Sequence, residues 1–126
     1  AGKVTILGVA PTPDPFLGPA HRASGAENVV LTGSGSGVVA LPAGRYRMVA
    51  SHGPAWTIAS FEVSVVAGRS TPARFELARV VPTDGYVAAD LHQHAIPSND
   101  AAVTLDDRVL SDLAEHVESR TVLPDA

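Results

Sequence analysis

The sequence predicts a mainly β fold, with an antiparallel β-sandwich over residues 1–83 and a strand, a loop and a helix over residues 84–126. Three observations predict it. Short stretches of alternating apolar residues are separated by Gly and Pro over the first two thirds. No helical periodicity occurs before residue 100. After it, Leu105, Val109, Leu113 and Val117 at fourfold spacing, with Leu110 beside them, form one apolar stripe.

The elements follow in order. Lys3–Val9 alternates around Val4, Ile6 and Gly8, with Leu7 and Val9 on the other face. Residues 10–25 carry Pro11, Pro13, Pro15 and Pro19 and read as a long loop, because proline removes ladder donors. Gly33–Gly37 is a flexible turn, and Val38–Leu41 a brief strand. Arg45–Ser51 places Tyr46, Met48 and Ala50 on one face. Trp56–Val66 reads as the longest strand, and Arg74–Val81 as another. The expected core is Trp56, Phe61, Phe75, Tyr46, Met48 and the valines. Tyr86–His94 is a further strand and residues 95–103 a loop. A helix starts at the N-cap Thr104, with Asp106 and Asp107 at the positive end of its dipole, and stops near Ser119. Thr121–Leu123 begins another strand, which opens a βαβ unit.

Composition narrows the function classes. The 126 residues are 45% hydrophobic and 17% charged, which excludes disorder of the whole chain. There is no cysteine, so disulfides, thiolate zinc sites and cysteine nucleophiles are excluded. The net charge of -4 comes with no basic patch, so no nucleic-acid partner is expected. No stretch reads as a membrane span, because the run from Asn28 to Gly44 is broken by Gly33, Gly35, Gly37 and Pro42. Ala1-Gly2-Lys3 reads as a processed or cut end; a soluble chain is expected, its compartment is left open, and a mature secreted or periplasmic bacterial protein is one of the settings compatible with it. Residues 1–89 carry a net charge of +2 and residues 90–126 a net charge of -6. The acidic last third is either a polar helix surface or a cation-binding region.

Asp90-Leu-His-Gln-His94 is the most informative segment. Side chains alternate along a strand, so Asp90, His92 and His94 share one face and Leu91 and Gln93 the other. Two imidazoles at this spacing can ligate one divalent metal, and the strand end before a loop is where α/β folds place their sites. The plainer reading is two polar residues at a strand end.

The segment Asp90-Leu-His-Gln-His-Ala-Ile-Pro-Ser-Asn-Asp100 resembles the first motif of the PHP (polymerase and histidinol phosphatase) metallohydrolases, and Pro97-Ser98-Asn99-Asp100 resembles the CehA/McbA branch. Upstream, Leu41–Arg47, Ser51–Pro54 and Asp84–Asp90 are similar to the β-sandwich that precedes the hydrolase domain in that branch. The same sandwich motifs recur in transthyretin-like and carboxypeptidase-regulatory-like modules. Downstream, Arg108-Val109 and the stretch from Ala114 to Glu118 match the first barrel helix.

The resemblance implies a βα barrel holding two or three divalent metals (zinc, manganese or iron) and a metal-activated water that attacks a phosphate ester or related bond. It implies His92 and His94 as metal ligands, Asp100 at the position of a ligand to a second metal, and Asp90 as a residue that orients an imidazole. The family's Thr-Asp-His motif and its later ligands are not in this sequence, and His116 stands where a small residue is usual. The expectation is therefore the sandwich plus the first strand and helix of an incomplete barrel, inactive as a hydrolase alone.

Other residues read more plainly. His52 beside Gly53-Pro54 is a turn residue, His21 lies in the proline-rich loop without a role, and His116 with Asp112 is a solvated pair one helical turn apart. Ser34 and Ser36 do not form a nucleophile elbow, Trp56 and Tyr46 are core, and Gly33–Gly37 is no phosphate loop. Two alternatives stand beside the hydrolase: a non-catalytic sandwich that binds or spaces, and a homo-oligomer that covers the 105–117 stripe between copies.

Overall fold

A computed structural model describes residues 1–96, 98–117 and 119–123, the side chains of 119–123 excepted. Pro97 and Glu118, both within the motifs quoted above, lie outside the described residues. The fold is mainly β, with a four-stranded antiparallel sheet and one short helix among the described residues. The strands are β1 (Gly2–Gly8), β2 (Val29–Thr32), β3 (Gly44–Ser51) and β4 (Ala59–Val65), in the order β2-β1-β3-β4. After them come β5 (Ala89–His94), α1 (Leu105–Ala114) and β6 (Ser119–Leu123). β5 and β6 pair in parallel, with α1 between them in sequence, which is the βαβ connection that the alternation of elements predicts.

β3 anchors the sheet because it has a strand on each side. Its register sets Met48 opposite Ile6 on β1 and opposite Phe61 on β4. The alternation read from the sequence holds here: Tyr46, Met48 and Ala50 are buried, while Arg45 and Arg47 face out. Ile6 and Tyr46 are each 1% exposed, and burial of side chains of this size contributes about 1.5–3 kcal/mol apiece. The Tyr46 hydroxyl donates to the Pro42 carbonyl at 3.0 Å, so its polar end is satisfied. On β4, Phe61, Val63 and Val65 share the half-buried face, and Phe61 stacks on Phe75 at 4.8 Å between centroids.

Several boundaries differ from the sequence expectation. β2 is a strand that the pattern did not single out, because its four residues are too few to show a period. Val38–Leu41 forms no strand, and Val38 is fully exposed. Residues 56–58 are not part of β4, so β3 is longer. Residues 74–81 run beside the start of β4 with one bridge, Trp56 to Arg79, and the Val80 N–H donates to the Ala55 carbonyl at 2.8 Å. Pro72 has no N–H to extend that pairing.

α1 is capped as expected: the Thr104 side chain accepts from the Asp107 N–H at 3.1 Å. It ends at Ala114, short of Ser119, so Val117 is not on it. The buried face is only in part the predicted stripe, through Leu110 and the half-buried Val109. Ala114, fully buried, and Leu110 pack against Ala23, Val29 and Leu31, while Leu105 and Leu113 are 52% and 44% exposed. The helix turns this face inward because Asp112 and Arg108 are held from the β5 side, as described below.

The helix end is fixed to the sheet. Lys3 on β1 pairs with Glu115, and His52 Nδ1 donates to the Ala114 carbonyl at 2.9 Å. Gly53, at φ +79°, lies so close to this end that a Cβ there would stand 2.2 Å from the Glu115 carbonyl oxygen. No helix of the described residues is long and apolar enough to cross a membrane.

On the outer face of the sheet, Arg45 and Arg47 both donate to Glu62 across the β3–β4 pair, at 2.8 and 3.2 Å. Those hydrogen bonds hold the Glu62 carboxyl below its ordinary value of 4.5. A lowered carboxyl stabilises the fold fully above pH 4.5 and loses that contribution as pH falls through its folded-state value. A carbon-13 titration of the Glu62 carboxyl is expected to show a midpoint below 4.5 that returns toward 4.5 in Arg45→Met/Arg47→Met; a wild-type midpoint at or above 4.5 contradicts the pairing.

Candidate metal centre at the end of strand β5

His92 and His94 lie at the carboxyl end of β5, where the strand passes into the loop toward α1. Their rings do share one side. The Nε2 atoms are 3.0 Å apart and the ring centroids 5.1 Å. The strict alternation predicted for the segment fails elsewhere. The β5–β6 pairing shifts register between Asp90 and Gln93. Leu91 is 70% exposed while Gln93 is 6% exposed, so the two do not share an environment.

Gln93 is drawn inward by two carboxylates. Its Nε2 donates to Asp90 Oδ2 at 2.9 Å and to Asp112 Oδ1 at 2.8 Å. Asp90 Oδ1 also accepts the His92 main-chain N–H at 3.1 Å. The Gln93 amide first, and the His92 N–H second, hold the Asp90 carboxyl below its ordinary value of 3.8. Asp90, expected to orient an imidazole, thus acts on the backbone of His92 and on Gln93.

That orienting place on an imidazole is taken by Asp100. Its Oδ1 lies 3.2 Å from His94 Nδ1, and the Ser98 hydroxyl lies 2.8 Å from the same nitrogen. A carboxylate only accepts, so this contact favours the tautomer with its proton on Nδ1. His94 Nε2 in turn lies at hydrogen-bond distance from His92 Nε2. Arg108 Nη2 donates to the His94 carbonyl at 2.8 Å and fixes the strand end from the helix.

The His pair fits a shared cation. Two nitrogens bound to one tetrahedral ion at about 2.0–2.1 Å lie roughly 3.3 Å from each other, close to the spacing seen. Among the described residues, no three His, Cys, Asp or Glu side chains gather closely enough to hold an ion. His92 and His94 are thus two candidate donors without a third close by among the described residues.

The remaining histidines are placed differently from expectation. His116 is not in a solvated pair on the helix: Asp112 is 5% exposed, and His116 lies beyond the helix end at φ 59°. It packs edge-on against His52 and Trp56, with centroids 5.1 and 5.8 Å away. His52, read as a turn residue, belongs to the contact between sheet and helix. His21 is exposed in the proline-rich loop, and Ser34 and Ser36 bond within their own exposed loop. Gln93, Ser98 and Arg108 were not singled out from the sequence as parts of the site. A glutamine flanked by two histidines was the available signal, since a polar residue on the inward side of a strand needs a partner.

Comparison of the chain with family models, with curated proteins and with solved structures gives no match.

The tautomer assignment has a direct check. Nitrogen-15 shifts of the His94 ring at neutral pH are expected to report a protonated Nδ1, and Asp100→Ala to move the ring toward the Nε2–H form. Equal tautomer populations in both proteins contradict the role given to Asp100.

Proposed function

We propose that the chain is the amino-terminal part of a metal-dependent hydrolase of the phosphoesterase type, in which His92 and His94 bind a divalent cation. The observation that carries this reading is the convergence of the two Nε2 atoms to 3.0 Å at a strand end, with His94 Nδ1 held by a carboxylate. The resemblance of Asp90–Asp100 to the PHP motif supports it, with residues 1–83 as the preceding sandwich and residues 84–126 as the start of the barrel. A phosphate ester or related compound is the substrate class of that reading, and zinc, manganese or iron the cation.

A bound cation supplies a water of lowered pKa and a Lewis acid for a substrate oxygen. The chain's own residues prepare for it. Asp100 and Ser98 hold His94 at Nδ1, which turns its Nε2 toward the Nε2 of His92. Asp90 fixes the His92 amide, and Arg108 fixes the His94 carbonyl. The carboxylates of the acidic last third add negative potential around the site. Two imidazoles are fewer than the three protein ligands of catalytic zinc sites, so these residues alone bind a cation weakly and hydrolyse inefficiently.

Titration of the chain with Zn²⁺ or Mn²⁺, followed by calorimetry, tests the reading. Uptake is expected to weaken at least about tenfold in His92→Ala and in His94→Ala, a loss of about 1.4 kcal/mol. Uptake equal to wild type in both variants contradicts it.

A further inference from the structure

Gln93 sits between the two histidines in sequence but points into the protein, 6% exposed. Its amide has two N–H hydrogens, and a carboxylate lies at hydrogen-bond distance for each: Asp90 from its own strand and Asp112 from α1. Both partners are acceptors, so the amide cannot be turned over without setting its oxygen against two carboxylate oxygens. The orientation is kept although Gln93 Oε1 is buried without a hydrogen-bond partner among the described residues. A buried amide oxygen left unpaired is costly, so the two contacts on the nitrogen side dominate the placement.

The helix contributes at two points. Asp112 and Arg108 are one turn apart and therefore on the same face. Asp112 reaches Gln93, which passes the restraint through Asp90 to the His92 amide. Arg108 reaches the carbonyl of His94. One helical face thus grips the strand on both sides of Gln93, and the register break between Asp90 and Gln93 lies within that grip.

We propose that Gln93, Asp112 and Arg108 are positioning residues for the His92–His94 pair: the helix sets the separation of the two Nε2 atoms through these three side chains. The inference rests on the reading of His92 and His94 as ligands and adds to it the residues that make them a pair. Without this grip the Gln93 side chain is free to turn toward solvent, and the main chain between the two imidazoles is no longer held at its shifted register.

The test uses the full chain with Gln93→Met, which keeps the length and removes both donors, and Asp112→Asn, which keeps an acceptor oxygen for the amide. Two readouts are taken: the ring nitrogen-15 resonances of His92 and His94 without metal, and Zn²⁺ affinity. Amide spectra of β1–β4 report that the fold persists. Gln93→Met is expected to shift both ring signals and to weaken Zn²⁺ binding about 10–100-fold, the usual loss when a residue behind a ligand is changed. Asp112→Asn is expected to stay within about threefold of wild type, rescue by an acceptor that a merely charged role would not give. Ring signals and affinity unchanged in Gln93→Met overturn the proposal. Should Gln93→Met fail to fold, Arg108→Met, which removes the donor to His94, is read by the same criteria. Zn²⁺ uptake that is indifferent to His92→Ala overturns the hydrolase reading instead, and the metal-free ring signals still decide this one.

Discussion

The end of β5 presents two imidazoles to one side because the side chain between them is held on the other. Gln93 is clamped by Asp90 and Asp112, while Asp100, Ser98 and Arg108 hold His94 separately. The clamp ties a strand to a helix through an amide shared by two carboxylates, a hydrogen-bonded arrangement that is strong where water is scarce. Its buried members are 5–6% exposed, so each contact replaces solvent that the group has lost.

The helix that provides Asp112 is itself fixed from the opposite direction. Ala114 and Leu110 pack on Leu31 and Ala23, Lys3 pairs with Glu115, and His52 donates to the Ala114 carbonyl. Gly53 permits the approach, because any side chain there would collide with the Glu115 carbonyl. The four-stranded sheet therefore bears on the site without touching it: β1, β2 and the end of β3 hold the helix, and the helix holds β5. The edge-on cluster of His52, Trp56 and His116 completes that seam.

Much of the sheet was legible because its rows are long enough to show a period. Tyr46, Met48 and Ala50 on β3 and Phe61, Val63 and Val65 on β4 lie on the faces their spacing predicts. β2 was not legible, since four residues carry no period and its partner is set by the long loop before it. The helix was found with its cap, but its inward face was only in part assigned. Apolar spacing favoured Leu105, Val109 and Leu113, whereas hydrogen bonds from Gln93 and the small size of Ala114 decided the orientation. The two histidines were legible as a pair. The break in register beside them was not, and it accompanies a contact from Gln93 to a helix residue nineteen positions away that no local pattern announces.

The most direct measurement of whether these imidazoles form one cation site is paramagnetic broadening by substoichiometric Mn²⁺, read in the amide and ring spectra of the whole chain. The account predicts that signals of His92 and His94 vanish first, those of Ser98 and Asp100 next, and that His52 and His116 stay sharp. Broadening centred on His52 and His116, or spread over the acidic helix surface with His92 and His94 spared, would contradict it.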